Sequence, residues 1–593
     1  MDQNQQNTIN SIQRTRVWYA FVLLIFGIFA VRLFYVEIIR FDHYKSLAQS
    51  DQVREYDVLP DRGTIYASLN GQTIPLVLNQ KLYTIFADPT LIKHPKKTAD
   101  DIAPLLGLST TDLTDKLHGK QTHYVVLRKK VDGATNKKIM ALKHPGIASQ
   151  ALNYRVYPQG TMAAQVLGFV NDEGKGIYGV EQALDSSLAG QKGRLKAVTD
   201  VNGVPLAASS DNLLLQPRAG KDVTLTLDLG MQAQVEGIVK AAQEKFHSKT
   251  VSALVMETNT GAIKAMANYP TFDPANYQKV EDGTVFQNYS VATPIEPGSI
   301  TKVLTVAAAL DMGVITPTTG YYDPGVWNID GAKVVNVAEG SGSGPQTIKS
   351  LLDLSLNTGA TWVLMQMGGG KINEQGRTRL HDYFVNHYEL THPTGVEQGY
   401  EGVGYVPGPV DKDNGINITY ANMSFGQAYS ATALQMGTAL SAIINGGTYY
   451  KPYLVDSTAD AGSSPVKTTP QMVKKDVIST KASQDMRDLM EYWTTAHARA
   501  GYSEMNFDDR YAVGGKTGTA QIINEKTHLY REDIFNGTFM GYVGGDTPKY
   551  TIVVYNIEPR NYGGFAGAKT GMPVFADIAH MLINNYDVPQ KER

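Results

Sequence analysis

Between residues 17 and 31 the chain runs Val17-Trp-Tyr-Ala-Phe-Val-Leu-Leu-Ile-Phe-Gly-Ile-Phe-Ala-Val31 without a charge, and Leu33-Phe-Tyr-Val36 extends the apolar run past Arg32. As a helix, residues 17–36 span ~30 Å, about one bilayer hydrocarbon core. From 41 to 215 the pattern predicts short strands and loops interleaved with polar helical stretches near 98–106 and 134–142. From Lys221 it becomes cleaner. Val223-Thr-Leu-Thr-Leu227 alternates like a strand, 231–246 has helical spacing, and 251–257 with 262–267 predicts a β-hairpin closed at Asn259-Thr-Gly261. Val303, Leu304, Ala307 and Leu310 form the stripe of a buried helix that starts near Ser299, just after the breakers Pro297 and Gly298. Apolar strand patterns return at 515–523, 539–543 and 550–557, followed by a packing helix over 574–585. These elements predict an α/β sandwich with helices on both faces of an antiparallel sheet, the Ser299 helix lying beside the strand that carries Lys516. Residues 456–471 predict a polar loop with no assigned function.

Composition narrows the classes. The chain has 593 residues with 42% hydrophobic content, enough for two or three domains with sizeable cores. A net charge of -3 and the lack of a basic stripe exclude a nucleic-acid-binding reading. With no cysteine there is no disulfide, thiolate nucleophile or thiolate metal site. The 12 histidines show no His-Glu-x-x-His spacing, so neither a metal nor a cofactor is expected.

Charge also orients the apolar run. Arg14 and Arg16 precede it, which favours a cytoplasmic amino terminus. Arg32 can snorkel, and Trp18, Tyr19 and Tyr35 suit the interfaces. No small-residue cleavage signature follows Val31, so the run reads as a retained signal-anchor. The expected organisation is a cytoplasmic tail over 1–16, a transmembrane helix over 17–36, a first module over 41–215 and a second over 216–588. Everything beyond about residue 37 is expected outside the cytoplasmic membrane.

The candidate chemistry lies in three ordered groups: Ser299-Ile-Thr-Lys302, Ser355-Leu-Asn357 and Lys516-Thr-Gly-Thr519. Positions i and i+3 share a helix face, so the Lys302 amine falls within reach of the Ser299 hydroxyl and can activate it without a histidine. Single matches carry little weight, because Ser464-Pro-Val-Lys467, Ser68-Leu-Asn70, Ser210-Asp-Asn212 and Lys569-Thr-Gly571 repeat the same patterns. Ser464 precedes a proline in a Ser/Thr/Pro-rich stretch, the two Ser-x-Asn decoys sit in loop-like sequence ahead of any nucleophile helix, and Lys569 looks like part of a loop entering the last helix. Ala512-Val-Gly-Gly-Lys-Thr-Gly-Thr-Ala-Gln-Ile-Ile523 instead has a strand's apolar flanks, with glycines where a ligand must approach the backbone.

The ordered set is similar to that of the penicillin-binding proteins and serine β-lactamases. The whole chain resembles a class B penicillin-binding protein, a monofunctional peptidoglycan D,D-transpeptidase. Arg62-Gly-Thr-Ile-Tyr66, Arg155-Val-Tyr-Pro158, Leu167-Gly-Phe169 and Gly176-Ile-Tyr-Gly-Val-Glu181 resemble that family's amino-terminal module. Thr226-Leu-Asp228 with Gln232, Gly261-Ala-Ile-Lys-Ala-Met266, Ser424-Phe-Gly-Gln427, Thr432-Ala-Leu-Gln435 and Asn445-Gly-Gly447 resemble its catalytic module. One departure is visible: Ala67-Ser-Leu stands where the family usually has Asp-Arg before Asn70-Gly71.

The resemblance implies an elongated α+β pedestal of the dimerisation type and a penicillin-binding transpeptidase domain. It implies that Ser299 attacks the D-Ala-D-Ala amide of a stem peptide, that Lys302 is the base, and that Ser355 relays a proton. Asn357 would hold Lys302 and the substrate amide, while Lys516, Thr517, Gly518 and Thr519 bind the terminal carboxylate. The backbone N–H groups of Ser299 and Thr519 would form an oxyanion hole. Implied partners are donor and acceptor stems, β-lactams as covalent inhibitors, and a membrane glycosyltransferase of the SEDS type with divisome or elongasome proteins. Division-type enzymes are resembled more than elongation-type ones, through Glu296-Pro-Gly and the short amino terminus. A D,D-carboxypeptidase, a serine β-lactamase using Glu397 or Glu401, and a non-enzymatic β-lactam sensor or division scaffold remain as alternatives.

Overall fold

The computed structural model describes residues 3–45, 53–118, 122–198, 213–336, 342–410, 415–523, 527 and 529–592. Two compact units emerge, Met1–Pro60 with Gly190–Ala219, and Asp61–Ala189 with Gly220–Arg593.

In the first unit, α1 (Gln3–Phe34) continues into a π-helical turn, Tyr35–Ile39. Its segment Arg14–Ile39 has a mean hydropathy of 2.4 and no buried side chains, and by length and composition it is a candidate membrane anchor. Strands Val53–Val58, Gly193–Val198 and Leu213–Leu215 form a small antiparallel sheet. The Ser-x-Asn decoy at 210 lies outside the described residues.

The second unit begins with a sheet built on the long strand Gln72–Ala87, which pairs with Ile65–Leu69, Val125–Val131 and Ile147–Val156. Helices Pro95–Leu106, Thr110–His118 and Gly133–Ala141 cover part of it, close to two expected helical stretches. The strand expected at Val223 is Asp222–Asp228. It pairs in parallel with Ile65–Leu69 and antiparallel with Val455–Ala459, so it extends this sheet. Three family blocks meet here. Glu181, fully buried, holds Arg62 at 2.6 Å and Arg155 at 2.7 Å, and Arg62 reaches Asp185 at 2.7 Å.

A separate sheet supports the chemistry. Its strands are β1 (Thr250–Glu257), β2 (Ile263–Tyr269), β3 (Ala512–Ile523), β4 (Tyr530–Gly544) and β5 (Pro548–Ile557), in the antiparallel order β2-β1-β5-β4-β3. Its two faces bury separate cores, as expected. Phe539, Val543 and Val554 pack with α2 (Leu229–Phe246) and α8 (Met572–Asn585). Met540, Tyr542 and Val553 pack with α3 (Thr301–Asp311) and α6 (Ala433–Ile444). Successive residues of one strand thus serve opposite cores, as the pleat requires. Around α3 lie α4 (Asn357–Met367), α5 (Ile416–Phe425) and α7 (Thr480–Arg499).

Three local expectations need correction. β4 starts at Tyr530, well before 539; Asn536, Gly537 and Thr538 break the apolar alternation in the sequence, yet they pair with β3. Thr538 is nevertheless buried, donating its hydroxyl to Pro297 O at 2.7 Å. The expected loop at 456–471 contains strands Val455–Ala459 and Val466–Lys467, a hairpin at the edge of the first sheet. Lys569 lies in a π-helical turn, Gly567–Gly571, that enters α8 directly.

Candidate active site

Ser299 sits in a 3-10 turn, Gly298–Ile300, from which α3 continues without a break. The turn is pressed against β3. Gly298 has φ +68°, and a Cβ there would lie 2.8 Å from Thr519 O. At Gly426, which caps α5, a Cβ would lie 1.9 Å from Gly298 O. Glycine at these two positions lets the nucleophile's turn fit between α5 and the strand.

Lys302 is fully buried. Its Nζ lies 2.8 Å from Ser299 Oγ, 2.8 Å from Asn357 Oδ1, 2.8 Å from Ser355 O and 3.2 Å from Ser355 Oγ. Asn357 Oδ1 and the Ser355 carbonyl can only accept. In a neutral amine they take both N–H groups, which leaves the lone pair for the Ser299 hydroxyl proton. Burial, reinforced by Lys516, holds Lys302 well below the usual lysine range, as that arrangement requires.

Ser355 links the two amines. It adopts φ +57°, a conformation that costs a non-glycine residue about 1 kcal/mol, between helix Ile348–Asp353 and α4. Its hydroxyl lies 3.0 Å from Lys516 Nζ as well as 3.2 Å from Lys302. Asn357 uses its other amide atom, Nδ2, to donate to Val335 O at 3.1 Å.

Lys516 is 1% exposed, and its Nζ also donates to Thr517 O. Burial brings it down to about 7, with Asp353 opposing the shift. Trp493 places its ring centroid 5.5 Å from Nζ. His497 stacks on Trp493 at 3.8 Å, lies 3.5 Å from Asp353, and is lowered to about 4 by burial and the nearby Lys516. Sequence reasoning missed Asp353, Trp493 and His497; the i, i+4 spacing of an aromatic pair on α7 was the available signal.

Along β3, Thr517, Thr519 and Gln521 are partly exposed while Lys516, Gly518 and Ala520 are buried, so the three polar residues share the accessible face. Thr519 Oγ1 accepts the Gly567 N–H at 3.0 Å, and a Cβ at Gly567 would lie 2.1 Å from Gly518 O. The turn carrying the decoy Lys569 thus buttresses Gly518 and Thr519, while Lys569 itself lies over Tyr502.

The structure brings Ser299, Lys302, Ser355, Asn357 and Lys516 together, with Thr517, Gly518 and Thr519 beside them. Ser68 lies inside strand Ile65–Leu69, paired with Thr73, and not in the expected loop, and Ser464 precedes the exposed strand Val466–Lys467. Glu397 accepts the Leu454 N–H, and Glu401 accepts those of Thr394 and Gly395 through its two oxygens. Both glutamates are committed to the backbone. No cluster of metal ligands occurs among the described residues.

Residues 251–580 match the penicillin-binding protein transpeptidase domain, and residues 57–225 match the penicillin-binding protein dimerisation domain. The chain belongs to the penicillin-binding protein transpeptidases. It is 30% identical over 571 residues to stage V sporulation protein D of Bacillus subtilis, an alignment covering 94% of this chain and 83% of that protein. It is 25% identical over 636 residues to the peptidoglycan D,D-transpeptidase MrdA of Escherichia coli strain K12, covering 98% and 95%. Penicillin-binding protein 3 of Mycobacterium tuberculosis, solved with ampicillin, superposes with a TM-score of 0.66 at 24% identity over 91% of this chain and 98% of that one, a likeness of fold. In this penicillin-binding protein two buried lysines share the Ser355 hydroxyl, and one of them, Lys302, also reaches Ser299.

Proposed function

We propose that this chain crosslinks peptidoglycan through an acyl-enzyme on Ser299. The observation that carries this reading is the buried Lys302 amine, in contact with Ser299 and held by two oxygens that can only accept. Ser299 Oγ attacks the carbonyl between the two terminal D-alanines of a donor stem, and Lys302 takes its proton. The proton passes through Ser355 to the departing D-alanine amine, leaving an ester. The side-chain amine of a second stem then attacks the ester, forming the crosslink and freeing Ser299. Lys516, Thr517 and Thr519 bind the terminal carboxylate, with Gly518 allowing its close approach. The Ser299 and Thr519 N–H groups stabilise the tetrahedral oxyanion, each donor typically contributing about 2.7 to 4 kcal/mol. Asn357 holds Lys302 and turns Nδ2 from Val335 O to the donor's amide carbonyl.

The wider organisation is proposed with it. Residues 1–16 stay in the cytoplasm, 17–36 cross the membrane once, 41–215 form the pedestal and 216–588 the extracytoplasmic transpeptidase domain. The Arg14 and Arg16 flank supports that orientation. A membrane glycosyltransferase of the SEDS type supplies the glycan strands, and the role is in division more than in elongation.

Full-length protein in detergent is incubated with a labelled penicillin and the adduct is mapped by mass spectrometry. A stable adduct on Ser299, absent in Ser299→Ala, is expected. Labelling elsewhere sinks the assignment, and rapid turnover to penicilloate makes the protein a β-lactamase.

A further inference from the structure

β3 is the terminal strand of its sheet, and its accessible face runs from Thr517 past Thr519 to Gln521. A donor stem lying along it has its carboxylate at Lys516 to Thr519 and its scissile carbonyl at Ser299. The residue upstream of the two D-alanines then lies further along β3, near Gln521, ~7 Å beyond Thr519 at the rise of an extended chain.

Glu296 stands at that end, three residues before Ser299. Its Oε1 accepts two hydrogen bonds at 2.9 Å, from the Ala428 N–H and the Tyr530 hydroxyl. Tyr530 pairs with Ile523 across the β3–β4 hairpin, and Gln427, the neighbour of Ala428, donates to Gln521 at 2.5 Å. The other oxygen, Oε2, is buried and has no hydrogen-bond partner among the described residues. Two donors on one oxygen are suited to a carboxylate, yet leaving the second oxygen dry and unpaired is costly. A cationic donor arriving with the ligand removes that cost. The polymer supplies one, because donor and acceptor stems are the same peptide and the acceptor reacts through a side-chain amine.

We propose that Glu296 is a specificity-determining residue that receives the side-chain ammonium of the donor stem, carried by the diamino acid preceding D-Ala-D-Ala. The inference rests on Ser299 as the acylated residue. It adds that the site selects donors by charge at a point removed from the reacting bond.

The test compares two depsipeptide donors on the full-length protein: Nα-acetyl-Lys-D-Ala-D-lactate with the ε-amine free, and the same compound with that amine acetylated. Ser299 acylation by the free-amine donor is expected to be about tenfold faster, the size of one favourable charged contact. In Glu296→Gln the ratio of the two rates falls to about one. Equal rates in the unaltered protein overturn the proposal without any variant, and so does an unchanged ratio in a folded Glu296→Gln. A Ser299 adduct from penicillin alongside equal donor rates removes this proposal alone. The absence of any Ser299 adduct removes the nucleophile assignment, and this proposal with it.

Discussion

Two places in the second unit bury charge, and they do it in opposite ways. Around Glu181, a fully buried carboxylate has an arginine on each oxygen, and Arg62 also reaches Asp185. Around Ser299, two lysines are buried with only hydroxyl, amide and carbonyl oxygens in contact. The first cluster keeps its charges by pairing them. The second has no direct ion pair, only Asp353 opposing the shift of Lys516 without offsetting its burial, and both amines are pushed toward their neutral forms. Buried charge that is matched holds segments together, whereas a buried amine without a direct partner is driven toward its neutral form.

The comparison is broken most sharply at the lysine pair. Ser299→Ala should abolish the penicillin adduct, and Lys302→Met should slow acylation by about 10³-fold, within the range of a lost general base. Lys302→Met should nonetheless raise the thermal midpoint, since it replaces a dry amine with an apolar chain of similar length. A fall in midpoint together with the rate would give Lys302 the structural role assigned to Glu181. In the other cluster the effects reverse. Glu181→Ala strands two buried guanidinium groups and should cost about 3 to 5 kcal/mol, read as a lower urea midpoint, while folded protein still forms the Ser299 adduct.

A smaller effect appears in the pH dependence. Lys516 is at about 7 in the folded protein and has an ordinary value of 10.5. Between those values the unfolded chain binds a proton that the folded chain does not, so stability rises with pH across that window. Below about 7 both states are protonated and the burial penalty is present in full. The stabilisation given by Lys516→Met should therefore be greatest at or below pH 7 and shrink by at most ~1.4 kcal/mol per pH unit as the pH approaches 10.5. Thermal midpoints of the two proteins at pH 6 to 10 check this. A difference that does not change with pH would mean that Lys516 remains charged when buried.

What the sequence revealed follows the same division between local and distant causes. The apolar run of α1, the stripe of α3 and the hairpin of β1 and β2 come from neighbours in the chain, and their periodicity was legible. So was the Ser299 to Lys302 spacing, because i and i+3 meet on any helix. Thr538 was not legible as strand, since its hydroxyl is satisfied by Pro297, far away in the sequence. Trp493 and His497 pair at i, i+4 on α7, a local pattern, but their meeting with Asp353 and Lys516 comes from helix packing that no local pattern encodes. Glu296 stood inside a recognised motif, but its unpaired oxygen becomes meaningful only once Tyr530 and Ala428 are seen to occupy the other one.

The smallest expected effect separates motif from environment. Ser464 and Lys467 have the same spacing as Ser299 and Lys302, yet Pro465 follows Ser464, and Val466–Lys467 is a two-residue edge strand with both residues exposed. A solvated lysine there has neither the desolvation nor the acceptor-only oxygens that prepare Lys302. Ser464→Ala with Lys467→Ala should leave the acylation rate at Ser299 unaltered and shift stability by no more than about 0.5 kcal/mol, as exposed substitutions usually do. A measurable loss of acylation in this double variant would break the comparison at its base, because spacing alone would then carry activity that burial is held to create.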